Sequence, residues 1–494
     1  MRLGKKILRG LALLVFGLIF AAGVKTALTS SRQLPSLPSE VPEFTSDAEA
    51  QLAARLAGAL RLQTVSREGQ PVAAAELRAL HAYLRATFPA VHGALQLETV
   101  GELSLLYTWP GQDATARPYL LLGHQDVVPV EAASESKWTH PPFAGEIAGG
   151  FIWGRGTLDD KGSVLAILEA VEALVRAGFK PRRTLYLAFG HDEELAGLRG
   201  AQQLAAQLAG RGVRLDFVLD EGMVITDGLV PGARQPVALI GLAEKGYLSL
   251  ALTVSAPGGH SSLPPPHTAV GVLSRAVRRV EDHPFPTDLR PPASELFDYI
   301  GPDLGGPLRF VFTNLWLLRP VLLWQLAQQP TSAAMLRTTT AATMFEGGPK
   351  DNVLPQHARA VINFRVLPGD TTTQVTERVR RIIDDPQVEL EPIAASRAEP
   401  TPVSSATSAS FRALAGTIRS VFPQVLAGPT LMLGQSDSRH FAAIADNTYR
   451  FMPVTLRADD LERIHGTDER IGLKAYAGAV RFYEQLVRSC DRER

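Results

Sequence analysis

Tyr119-Leu-Leu-Leu-Gly-His124-Gln-Asp126 and Thr184-Leu-Tyr-Leu-Ala-Phe-Gly-His191-Asp-Glu193-Glu194 follow one pattern: a short apolar run stops abruptly at residues able to bind a metal. Leu215-Asp-Phe-Val-Leu-Asp220-Glu221-Gly222 repeats it. Apolar runs of this length mark strands buried on both faces, the habit of parallel sheets, and open α/β sheets place their sites at the carboxyl ends of such strands. Three strands ending in acids and imidazoles predict one sheet edge with a metal centre, in a chain of α/β class. Between the first two runs lies Gly154-Arg-Gly-Thr-Leu-Asp159-Asp160-Lys161-Gly162. A helix over Ser163 to Ala177 follows, with Val, Leu and Ile spaced to pack on the sheet.

Each polar residue has a chemical and a plainer reading. His124 and Asp126 are two apart, so both side chains share a side if the backbone is extended, and Asp126 could support the imidazole or catalysis from behind. A loop histidine near a capping aspartate has the same look. Asp159 also fits a helix cap. Glu193 and Glu194 repel each other unless a cation or a proton compensates. A hydrolytic metal site wants such a pair, one carboxylate as ligand and one free to accept a proton; acids at a solvated helix start are the bland counterpart. Neighbours on an extended segment face opposite ways, so one of Asp220 and Glu221 can easily reach a metal.

The chain has 494 residues, 45% of them hydrophobic, with 50 basic against 50 acidic side chains. It is long enough for two or three domains, and zero net charge argues against nucleic acid as the main partner. A single cysteine, Cys490, allows neither an intramolecular disulfide nor a thiolate cluster, so any metal is held by His, Asp and Glu. The start is basic, and Leu11 to Val24 is apolar without a charge. That reads as an export signal or an uncleaved anchor, although a full span usually needs ~20 residues. Ser30 to Pro42, rich in Ser and Pro, reads as a tether. Two helices are expected from Ser46 to about Phe88 and a strand from Val100 to Trp109.

In order, His124-Gln-Asp, Gly154-Arg-Gly-Thr-Leu-Asp-Asp-Lys-Gly, His191-Asp-Glu-Glu, Asp220-Glu-Gly and Ile464-His465-Gly-Thr-Asp-Glu resemble the co-catalytic zinc peptidase family of carboxypeptidase S, aminoacylase and the N-fatty-acyl-amino acid synthase/hydrolase. The likeness runs from about Ser46 to the end. It implies two zinc ions per chain: one held by His124, Asp159 and Glu221, the other by Asp159, Glu194 and His465, with Asp159 bridging. Asp220 is the alternative to Glu221. It further implies Glu193 as general base, Asp126 orienting His124, and a cis peptide after Asp159.

The implied architecture is an α/β catalytic domain, a mixed sheet flanked by helices, with an inserted α+β sandwich for lid and dimerisation. The corresponding segments are 1–29 (signal or anchor), 30–45 (linker), 46–244 and 399–494 (catalytic), and 245–398 (lid). Within 245–398, strands at Tyr247, Thr338, Ala358 and Gln387 and helices at Thr268 and Thr371 give a β-α-β-β-α-β order. By resemblance His260, in Pro257-Gly-Gly-His-Ser-Ser, stabilises the oxyanion, often at the partner subunit's site. Asn352, Arg365 and Arg439 would bind substrate. As bare sequence, the His260 stretch is a Gly/Pro turn and Arg365 a solvated strand end. An extra apolar stretch, Phe285 to Arg337, suits helices packed on the lid, a buried subunit contact, or a wall for a long acyl chain.

The implied enzyme is an exported or membrane-anchored amide hydrolase acting on peptides or N-acyl amino acids with a free carboxylate. The resemblance also implies a homodimer contact through the lid. A fatty-acyl-amino acid hydrolase/synthase is the close alternative. A silent tethered scaffold is the rival from another class; it predicts lost ligands or a lost base, and all are present.

Overall fold

The computed structural model describes residues 2–492. Its centre is a ten-stranded mixed sheet ordered Gln96–Val100, Ser104–Trp109, Leu185–Gly190, Tyr119–His124, Leu215–Asp220, Ala445–Arg450, Val237–Glu244, Ile225–Thr226 and Thr455–Leu456. The tenth strand, Leu426–Met432, runs parallel to Val237–Glu244. Tyr119–His124 lies parallel to both Leu185–Gly190 and Leu215–Asp220, so the three runs that end in polar residues deliver them at one edge.

Alternation along these strands fixes the two flanking layers. Tyr119 and Leu121 face one core with Leu185, Leu187 and Phe189, while Leu120 and Leu122 face another with Ala188 and Val218. The larger core is closed by the helices Ser46–Leu60, Lys161–Arg176, Ala409–Val421 and Leu473–Asp491, the smaller by Ala201–Gly210. Each fully buried Leu, Ile or Phe contributes about 1.5–3 kcal/mol, which makes this sheet the rigid platform for its loops.

Two helices, Ser46–Leu60 and Ala74–Thr87, occupy the stretch expected to hold two, and Thr45 caps the first by accepting from Ala48 N. The strand expected over Val100 to Trp109 is instead a hairpin, Gln96–Val100 paired with Ser104–Trp109, because Gly101 and Glu102 turn the chain with positive φ. A second, four-stranded antiparallel sheet is ordered Thr339–Glu346, His357–Val366, Gly246–Ser255, Val388–Ala398. Helices Ala269–Asp282 and Thr372–Ile383 pack on it through Leu273, Val280, Val375 and Val379. The second helix starts with a full capping box between Thr371 and Gln374.

The apolar insert behaves differently from the expectation of a lid-packed layer. Its helix Ala293–Ile300 packs on the large sheet, where Leu296 and Ile300 meet Val237 and Leu426. Residues 30–45 form no helix or strand, yet they are pinned along the body. Gln33 bonds the backbone of Tyr299 and Ala427, and Gln485 accepts from Glu40 N. The N-terminal helix runs Arg2–Leu28, longer than the uncharged segment alone suggests.

Candidate metal centre

His124 is the last residue of a completely buried strand, so its ring enters the site with almost no freedom. Nε2 lies 2.8 Å from Asp159 Oδ1, and Nδ1 lies 3.0 Å from the Asp126 carbonyl and 3.4 Å from Asp126 Oδ1. The second oxygen of Asp159 lies 2.9 Å from His465 Nε2, which is also 3.4 Å from Glu194 Oε2. Donor atoms of His124, Asp159 and Glu221 fall within 4.8 Å of one another, and so do those of Asp159, Glu194 and His465. Asp159 belongs to both groups.

The local backbone explains this convergence. Asp160, not Asp159, occupies the cap position of the helix Lys161–Arg176, and its carboxylate makes no cap bond; it accepts from His124 N at 3.3 Å. The Asp159–Asp160 peptide is cis, as the resemblance implied. Glu193 and Glu194 sit in a single 3-10 turn rather than at a helix start, since the next helix begins at Ala201. Both of their backbone N–H groups donate to the Asp126 carboxylate, at 3.2 and 3.3 Å, and Ser66 Oγ donates to the same group at 2.7 Å. Asp126 therefore ties the His124 strand to the Glu193 turn. Asp220 is spent on backbone: it accepts from Ser438 N at 2.8 Å and Glu221 N at 3.0 Å, leaving Glu221 as the member of the pair in the cluster.

The electrostatics match the donor set. Burial, reinforced by Asp437 and Glu194, pushes the Glu193 carboxyl well above the usual range. Burial and the neighbouring Asp159, Asp160 and Asp220 do the same to Glu221, and burial raises Glu194. Burial would also raise Asp159, but hydrogen bonds from His124 and His465 overcome it and hold that group low. His465 is raised to about 10 by hydrogen bonds to Asp159 and Glu194. Buried carboxylates crowded in this way are compensated by protons or by cations. Glu194 Oε1 is buried with no hydrogen-bond partner among the described residues, an oxygen that a cation satisfies. Two imidazoles with carboxylate oxygens and no thiolate suit a divalent ion such as Zn²⁺ or Mn²⁺.

Several supporting residues stand inside the quoted motifs, but the sequence reading gave them no role. Glu469, fully buried, accepts from the N–H groups of Gly156, Leu158 and Asp159 at 3.0, 2.8 and 3.3 Å, and pairs with Arg155 Nη1 at 2.7 Å. Arg155 Nη2 donates to the His465 and Gly466 carbonyls. One ion pair thus clamps the Asp159 loop to the His465 loop. Gly162 lets the helix start close against that loop: a Cβ there would lie 2.2 Å from the Thr157 carbonyl oxygen. Gly162→Ala is expected to cost about 1–3 kcal/mol of stability, the range for overpacking, read as a lower urea midpoint.

The remaining predicted site residues stand outside both groups. Arg439 donates to the Ala196 carbonyl, just past the Glu193 turn, at 2.6 Å and to Gln435 Oε1 at 2.9 Å. His260 sits exposed on a two-stranded ribbon opposite Val353, its Nδ1 2.8 Å from Ser262 Oγ, and has no contact with the cluster among the described residues. Asn352 is beside it, its carbonyl accepting from Ser261 N. Arg365, on the strand His357–Val366, lies 4.5 Å over the Tyr247 ring.

A model of peptidase family M20/M25/M40 matches residues 120–489, spanning the whole cluster. The chain is 42% identical to a probable carboxypeptidase S-like 2 from Dictyostelium discoideum over 97% of this chain and 93% of that one. It is 40% identical to the N-fatty-acyl-amino acid synthase/hydrolase PM20D1 of Xenopus tropicalis over 94% of this chain and 91% of that one. An M20 family metallo-carboxypeptidase from Sulfolobus solfataricus, 18% identical, superposes with a TM-score of 0.65 over 89% of this chain and 99% of that one. The architecture expected from the sequence, a mixed sheet flanked by helices, is the one these relatives share. This chain belongs to peptidase family M20/M25/M40 and is an enzyme of the metallopeptidase and amidohydrolase type.

Proposed function

We propose that this protein is a di-zinc hydrolase that cleaves the amide bond of peptides or N-acyl amino acids ending in a free carboxylate. The observation that carries the proposal is the division of the Asp159 carboxylate between His124 and His465, which splits the cluster into two three-residue groups sharing one bridge. Zinc bound there supplies Lewis acidity to the scissile carbonyl and acidifies water.

The chain's own residues do the rest. Glu193, next to a ligand but outside both groups, accepts a proton from the attacking water and returns it to the leaving nitrogen. Asp126 fixes the relation between His124 and the Glu193 turn: its carbonyl and carboxylate face His124 Nδ1, and the carboxylate also accepts the Glu193 and Glu194 N–H groups. Arg439 and Arg365 offer guanidinium groups to the substrate carboxylate, and Asn352 contributes its amide. His260, remote from the cluster of its own chain, completes the site of a second copy and donates to the developing oxyanion. Condensation of a fatty acid with an amino acid uses the same groups in reverse, so concentration decides the direction. The basic start followed by an apolar helix supports reading the hydrolase as exported and held by a retained anchor.

The test is metal content and turnover on the full-length protein, with a dipeptide and a long-chain N-acyl amino acid offered together. Two metals per chain and hydrolysis of at least one substrate, abolished by a chelator, are expected. One metal per chain with full activity removes the dinuclear reading, and a metal-loaded protein inactive on both removes the substrate class.

A further inference from the structure

The insert carries an apolar surface that the hydrolase chemistry does not use. Leu315–Leu326 reads Leu-Trp-Leu-Leu-Arg-Pro-Val-Leu-Leu-Trp-Gln-Leu, with one charge in twelve residues. Its inner side is anchored, since Leu322 packs with Leu289, Ala293 and Leu336. Its outer side shows Trp316, Val321 and Trp324, exposed by 53, 61 and 65%. Three large apolar side chains on one short helix need a partner.

The partner is indicated by what lies next to them. The N-terminal helix has a 24-residue apolar stretch, Lys5–Leu28, long enough by length and composition to cross a bilayer. It exposes Leu13, Phe16, Ile19 and Phe20. Its last turns are fastened to the insert by specific polar bonds. The Asn314 side chain, completely buried, donates to the Ala22 carbonyl at 3.1 Å and to Thr26 Oγ1 at 2.8 Å. Thr26 Oγ1 lies 2.9 Å from Thr313 Oγ1, and Arg309 donates to the terminal carbonyls of Thr26 and Thr29, where a cation suits the helix dipole. If the helix crosses a bilayer, its exit lies against the insert. Lys5, Lys6 and Arg9 stand at the opposite end, so the positive-inside tendency puts the insert on the non-cytoplasmic face.

We propose that the helices Gly306–Thr313 and Leu315–Leu326 rest in the phospholipid interface beside the N-terminal helix, forming a second membrane attachment. Trp316 and Trp324 sit at headgroup depth, where indole rings concentrate, and Arg319, paired with Asp288 at 2.7 Å, marks the wet edge. The protein is then held against the bilayer by two points, and an amphiphilic substrate can reach it from the membrane. The inference rests on the retained-anchor reading above.

The experiment uses full-length, metal-loaded protein in phosphatidylcholine vesicles, with tryptophan fluorescence compared between plain lipid and lipid brominated close to the headgroup. Trp109, Trp138 and Trp153 are buried in the protein body, so a Trp316→Phe/Trp324→Phe variant isolates the insert. Bromolipid is expected to quench the parent protein, and the variant is expected to lose most of that quenching. Equal quenching of both proteins overturns the proposal. So does a parent protein that is unquenched and dimeric while a Trp316→Ser/Trp324→Ser variant is monomeric, which assigns the face to a second copy. Sequencing the amino terminus of protein recovered from membranes reads the anchor separately: a chain beginning after Leu28 removes the joint unit at that step. Turnover is not measured in either arm, so an error in the proposed substrate leaves both results intact.

Discussion

Replacing Glu193 with glutamine is expected to lower kcat by about 10²–10⁴-fold, the contribution typical of a positioned general base, while the metal content stays at its parental value. The reasoning is geometric. Glu193 and Glu194 share one turn, and the Asp126 carboxylate accepts both of their N–H groups, yet the Glu194 carboxylate joins Asp159 and His465 while that of Glu193 belongs to neither three-residue group. A glutamine keeps the size and the backbone bonds but cannot accept the proton. Metal analysis beside steady-state kinetics separates the outcomes: loss of metal would make Glu193 a ligand, and a fully active, metal-loaded variant would take it out of the chemistry. The corresponding change at Glu194 should release metal first and activity with it.

The framework of this site is legible in the sequence because each element carries a local signal. An apolar run ending in His124, another ending before Glu193 and a third ending at Asp220 state where strands stop and what they deliver. Parallel pairing then brings the ends together without further information. The choice between Asp220 and Glu221 is less local. It follows from Ser438 N, more than two hundred residues away, which engages Asp220. The cap reading of Asp159 failed because a cap is recognised by position: the helix starts at Lys161, ahead of the Ser163 expected from spacing, and Asp160 holds the position before it. The insert is the least legible part. Apolar composition does not distinguish a lid layer, a subunit contact, an acyl pocket or a membrane face; the bonds of Arg309, Thr313 and Asn314 to Ala22, Thr26 and Thr29 show that it belongs with the N-terminal helix. His260 was readable as a motif, but its position on an exposed ribbon is set by pairing with Val353, not by residues near it in sequence.

Glu469→Gln is expected to be the most destabilising single change near the site, by about 3–5 kcal/mol, the cost of breaking a buried ion pair and leaving one charge uncompensated. Glu469 and Arg155 are both almost completely buried, 314 residues apart in the chain and 2.7 Å apart in space. The amide can still accept one hydrogen bond, but it gives Arg155 no counter-charge and competes poorly for three backbone N–H groups at once. The loops bearing Asp159 and His465 then lose their common brace, so metal affinity should fall by about 10–100-fold, as it does when residues that orient ligands are removed. A chelator competition titration reads the affinity and a urea midpoint reads the stability. Adding Arg155→Met should restore part of the stability, because it removes the stranded charge, but not the metal affinity, because the His465 and Gly466 carbonyls stay unheld. If instead the double variant regains both, the clamp acts only through charge, and the loops find their places without it.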